Sequence, residues 1–156
     1  MKLWDAQSNS DAAAAIRIAA AIEGQTIEVV HEQRTKGCPA VILETPLGDI
    51  GSTNAICKFI SGSGSSKLLG ASAINKSHVD QWLAWRETTL APCWSVVAAG
   101  VFGHGGIHKA DYDEQQKKLK EHMKTLNTAL EGKKWLAGDD ITLADIVLAT
   151  SLQAAF

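Results

Sequence analysis

At 156 residues the chain is one domain by length, or two small lobes packed together, and it can bury a core without covalent staples. Its 15 basic and 17 acidic side chains leave a formal charge of −2, which gives no electrostatic reason to expect nucleic acid or an anionic membrane as a partner. The three cysteines (Cys38, Cys57 and Cys93) are widely spaced with no CxxC pair, which argues against a disulfide framework or zinc site and for a reducing compartment.

The opening MKLWDAQSNSD sets Asp5 and polar residues where a signal peptide needs an apolar run, and the apolar stretch 12–22 is short and broken by Arg17. A cytoplasmic location is expected. Residues 1–6 read as a short strand with Leu3 and Trp4 as its bulk, followed by a polar turn. Ser10 or Asp11 can cap a helix over 12–22, in which Ile16, Ala19, Ala20 and Glu23 follow helical spacing and Gly24 supplies the stop. A β-branched run at 26–30 predicts a second strand, residues 40–43 a third after Pro39, and Ile50 a short fourth beyond the turn at 45–49. Ser52 or Thr53 starts a helix through Ile60. The order is β-α-β-β-β-α.

The run SGSGSS at 61–66 is the clearest loop signal. It divides the chain into an N-terminal lobe (1–62), a connection (63–76) and an all-helical lobe (77–156). In the helical lobe Ser77 and Asp80 have capping-box spacing, and Pro92 is expected to kink or end the helix they start. Asp111 opens a long helix with Leu119, Met123, Leu126 and Leu130 on one face and Lys117, Lys118, Lys120 and Lys124 mainly on the other. Gly132 ends it. Thr142 and Asp145 form a further capping box, with Ile141 and Ile146 at the spacing of a hydrophobic staple. The helix beyond is apolar on nearly every face and too short to span a bilayer, so it belongs at the centre of a core. Capping explains both the charge and the place of Asp145, which is therefore a folding residue. The chain stops at Phe156 inside this helix with no C-cap, which reads as a fragment of something longer.

WLAGDDITLADI at 135–146 resembles the buried core-helix motif of the glutathione transferase superfamily. The resemblance implies an α+β fold: a thioredoxin-like lobe followed by an all-helical lobe whose last helices are missing here. Cys38-Pro39 resembles the residue-plus-cis-proline pair whose backbone meets the cysteinyl part of glutathione. Ser52-Thr53-Asn54-Ala55-Ile56 resembles the helix start that holds the γ-glutamyl carboxylate with a hydroxyl and amides. Implied glutathione-binding positions are thus Cys38, Pro39, Ser52 and Thr53. Ser52 stands where the superfamily usually has an acid for the ligand's amino group, so binding is expected to be weak or absent. A transferase also needs a thiolate-stabilising side chain near the end of the first strand. Only Ser8 and Ser10 are available, in a turn where serine is common anyway.

Within the superfamily, Pro39-Ala40, Thr53-Asn54-Ala55-Ile56, Val79-Asp80-Gln81-Trp82-Leu83 and the Thr142 box resemble the N-terminal domains of the elongation factor 1 gamma family. That implies a non-catalytic interaction module of translation elongation. Its partners would be other elongation factor 1 subunits or aminoacyl-tRNA synthetases, with a homodimer as a further option and no nucleic acid or membrane. The alternatives are an active transferase using Ser8 or Ser10, and a domain appended to an aminoacyl-tRNA synthetase. No metal site is expected, because His104 and His108 have no acid or cysteine nearby to complete a ligand set. The glycines at 100–106 lack the strand and the Gly-Lys-Ser/Thr of a phosphate loop. Cys38 is the thiol nearest the implied cavity. Trp82, Trp85, Trp94 and Trp135 read as core or interface anchors.

Overall fold

The computed structural model describes residues 1–7, 10–34, 39–103 and 106–153. Ser8, Cys38, His104 and Phe156, with the Cys38–Pro39 peptide bond, lie outside these residues. The chain opens as β1 (Lys2–Asp5), α1 (Asp11–Ile22), β2 (Glu28–Val30), β3 (Val41–Thr45), β4 (Gly48–Ile50) and α2 (Thr53–Ser63). The sheet order is β2-β1-β3-β4. β1 runs parallel to β2 and antiparallel to β3, and β3 is antiparallel to β4. Alternation along β1 turns Leu3 and Asp5 to one face, where both are fully buried, and leaves Lys2 and Trp4 half-exposed on the other. Leu3 lies opposite Leu43, also fully buried. On the outer face Trp4 donates its indole N–H to Glu44 (2.9 Å), and Arg34 bonds Glu44 and Asp49 while lying over the Trp4 ring. That cluster pins the segment after β2 across the sheet.

The all-helical part comprises α3 (Ala73–Trp85), α4 (Ala91–Phe102), α5 (Lys109–Leu130) and α6 (Leu143–Leu152). Four local expectations are corrected. The serine-glycine run is not loop from its start, because α2 continues to Ser63 and a 3-10 turn forms at Lys67–Leu69. α3 begins one turn early. Ser72 is its N-cap and accepts the Asn75 amide (3.2 Å), whereas Ser77 sits inside the helix with its hydroxyl on the Ala73 carbonyl, and Asp80 pairs with Lys58 (2.8 Å). α5 starts at Lys109, capped by His108, rather than at Asp111. Pro92 neither kinks nor stops a simple helix. It lies in the first turn of α4, and the strain of its missing N–H is taken upstream by a π-helical turn at Arg86–Leu90 that joins α3 to α4. From this turn Arg86 reaches α6 and donates to the Ser151 hydroxyl (2.9 Å).

α6 lies at the centre, as its all-round apolarity requires. Leu143, Ile146 and Val147 join one buried cluster with Leu3, Ile16, Leu43, Ile56, Leu68 and Leu83. Ala144 and Leu148 join a second with Leu90, Leu126 and Leu136, flanked by Trp82, Trp85, Leu119 and Met123. At about 1.5–3 kcal/mol for each fully buried large side chain, α6 is the element whose loss would open both clusters. Its start is the capping box read from sequence. Asp145 takes the Thr142 amide (2.9 Å), the Thr142 hydroxyl (2.8 Å) and the Leu136 amide (2.9 Å), so the carboxylate also ties the preceding loop to the helix. Ile141 packs against the first cluster. Among the described residues no helix is long and apolar enough to cross a membrane.

Candidate functional site

Three segments converge at one end of the sheet. The Ala6 amide, just past β1, donates to the Ala40 carbonyl (2.9 Å) and sets the end of β1 beside the Pro39–Ala40 step. Pro39 packs on Gly51, where an added Cβ would come within 2.9 Å of the proline ring, so only glycine allows this approach. Gly51 leads directly into Ser52 and Thr53. The fold thereby brings Pro39 and the start of α2 together, although 12 residues separate Pro39 from Gly51 in the chain.

At the start of α2, Ser52 is the N-cap with extended backbone, and its hydroxyl makes no capping bond. The first turn carries no acid. A carboxylate suits this place: the Thr53 hydroxyl, the first-turn amides and the positive end of the helix dipole all favour an anion. An ammonium group finds no counter-charge in that turn. Asn54 ties the same turn to α3 by donating to the Leu83 carbonyl (3.4 Å), and its own amide oxygen is buried without a protein partner.

Ser10 has a different role from the one first considered for it. It is the N-cap of α1, accepting the Ala13 amide (3.1 Å) and donating its proton to Asp5 (2.9 Å). Asp5 also takes the amides of Gln7 (3.3 Å) and Ser10 (3.1 Å). This buried carboxylate therefore organises the turn from β1 into α1. Sequence reading passed over Asp5, yet its parity with Leu3 on a short strand was the available signal. Cys57, in α2, is an inert thiol. Burial pushes it up to about 12, and the nearby Arg86 charge offsets only part of that. The largest recess described, about 530 Å³ between Ile22, Leu68 and the 137–142 loop, lies away from Pro39 and Thr53.

Residues 82–156 match the family model described as glutathione S-transferase, C-terminal domain. Across 116 residues the chain is 31% identical to the probable elongation factor 1-gamma 2 of Arabidopsis thaliana, covering 74% of this chain and 28% of that protein. The chain belongs to the glutathione S-transferase superfamily. Its fold agrees: the theta class glutathione S-transferase of Xanthomonas axonopodis pv. citri with glutathione bound superposes at a TM-score of 0.87, with 18% identity, over 99% of this chain and 80% of that one. A third likeness is to the valine–tRNA ligase of Takifugu rubripes, 32% identical over 84 residues, or 54% of this chain and 7% of the ligase. The transferase-like chain thus spans just over a quarter of the elongation factor relative it resembles.

Proposed function

We propose that this chain is a non-catalytic, glutathione-transferase-like interaction module, the scaffold element of a gamma-type subunit in the elongation factor 1 nucleotide-exchange complex, acting in the cytoplasm. The observation that carries the reading is the state of Ser10. A thiolate-stabilising serine must have its proton free for sulfur, and here that proton is held by the buried Asp5 while the oxygen caps α1. The acid-free first turn of α2 supports the same reading, because glutathione's amino group would go unpaired there. The likeness to the Arabidopsis elongation factor supports the choice of complex.

The opposing reading, an active transferase, draws on the meeting of Pro39 with the Ser52–Thr53 step and on the fold shared with a glutathione-bound enzyme. In that case Pro39 and the residue before it would hold the cysteinyl backbone, Thr53 and the first amides of α2 the γ-glutamyl carboxylate, and Ser8 the thiolate. A synthetase-appended domain is a variant of the interaction reading, supported by the likeness to the valine–tRNA ligase.

Calorimetric titration with glutathione, a conjugation assay with a general electrophile, and co-purification with the exchange subunit of elongation factor 1 separate these. Weak glutathione binding, negligible turnover and a stoichiometric complex are expected. Robust turnover that Ser8→Ala or Ser10→Ala abolishes would replace the scaffold by the transferase.

A further inference from the structure

A second recess, of about 390 Å³, opens where the loop after α5 meets the start of α3. Ile74 and His78 line it from the first turns of α3, Lys133 and Lys134 from the loop, and Leu136 from below, with Asp139 as the carboxylate in the wall. Two lysines and an imidazole against one acid is a local reversal of sign on a chain whose net charge is −2. Neither lysine has an ion-pair partner among the described residues. The Lys134 ammonium stands 5.1 Å from the Trp135 ring centroid, a contact that orients the charge without neutralising it. Beside these cations Ile74 is 62% exposed, a large apolar side chain with water on most of its surface.

Resting on the reading of the chain as an interaction module, we infer that this recess docks an acidic segment of a partner protein, with carboxylates against Lys133 and Lys134 and an apolar side chain against Ile74. The combination selects a peptide over RNA. RNA is held by a basic track that follows successive phosphates. Here the positive charge is confined to one recess, Asp139 stands within it, and Ile74 offers a surface of no use to a phosphate backbone. The positive end of α3 adds to the attraction for carboxylates.

The test uses the intact chain and a fluorescein-labelled peptide rich in Glu and Asp with one central Leu, read by anisotropy. Binding is expected to weaken as salt rises, because these charges are exposed and screened. The double variant K133E/K134E should lose affinity about tenfold or more, and K133Q/K134Q less. Unchanged thermal melting would confirm that both variants fold. Ile74→Ser should weaken the peptide carrying Leu and leave one carrying Ser in its place unchanged. Equal affinity in K133E/K134E, or tighter binding of a uridine-rich RNA of the same length, overturns the inference. Capture of the elongation factor 1 exchange subunit is scored in parallel. Failure of the peptide with capture intact refutes the recess and leaves the scaffold reading standing. Peptide binding without capture keeps the recess and refutes the elongation-factor assignment.

Discussion

Glu23 offers the sharpest test of how the helical part is held to the sheet. It is the C-cap of α1, the end of a helix where the dipole disfavours a negative charge, and it is buried. Its carboxylate takes the Ser65 amide (2.7 Å) and hydroxyl (2.5 Å) on one oxygen and the Leu68 amide (3.2 Å) on the other. Burial raises its pKa, but these donors outweigh burial and hold it below the ordinary carboxylate value. Glu23→Ala would orphan the Leu68 amide, whose residue is fully buried, while water can replace the partners of exposed Ser65. One orphaned buried donor costs about 1–3 kcal/mol, and the partly rehydrated bonds add somewhat less, so a loss of about 3 kcal/mol is expected. For a chain of this size that lowers the melting temperature by about 6–12 °C.

The pH dependence has a definite sign. A carboxylate with a depressed folded-state pKa stabilises above its unfolded pKa, and that stability disappears as pH falls through the folded value. Melting curves of the unmodified protein and of Glu23→Gln should therefore differ most at neutral pH and converge as pH drops below about 4.5. A variant that melts within about 1 °C of the unmodified protein at neutral pH, or a gap that stays constant into acid, would refute the account.

Three further outcomes are expected. Asp145→Ala removes the acceptor of three hydrogen bonds at the start of α6 and should cost about 2–4 kcal/mol by chemical denaturation, against about 1 for Thr142→Ala. Gly100→Ala places a Cβ 2.5 Å from the Tyr112 ring and should destabilise the α4–α5 pair by about 1–3 kcal/mol. Adding Tyr112→Ala should recover most of that loss, and a double-mutant cycle with no coupling would show that the two do not meet. Ser52→Glu supplies the missing acid at the start of α2 and should tighten glutathione binding between a fewfold and about a hundredfold by calorimetry, with no gain if Ser52 faces elsewhere.

What could be read from sequence was what is local. The Thr142–Asp145 box has both partners within one turn, and the apolarity of α6 needs no knowledge of its neighbours. The strands followed from β-branched runs between turn residues. Ser77 and Asp80 carried the same spacing as a true cap, but Ser72 and Asn75 compete one turn earlier, and spacing alone does not choose between them. Asp5 and Glu23 escaped for another reason. The partners of Glu23 lie over 40 residues away, and Asp5 is explained only once β1 is seen to turn its Leu3 face inward. The approach of Pro39 to Gly51 likewise depends on how the strands are placed, which no stretch of residues around either one encodes.

The π-helical turn at Arg86–Leu90 behaves as a one-residue insertion absorbed within a continuous helix. Deleting one residue there would restore ordinary helical geometry and rotate everything from Ala91 to Phe102 by about 100° about the helix axis. Gly100 would then swing away from Tyr112, and the seam with α5 would have to form from different side chains. Relatives without the wide turn should therefore show a single-residue gap near this point when aligned by sequence. Positions of α4 compared across that gap without allowing for it would be matched to the wrong face of the helix.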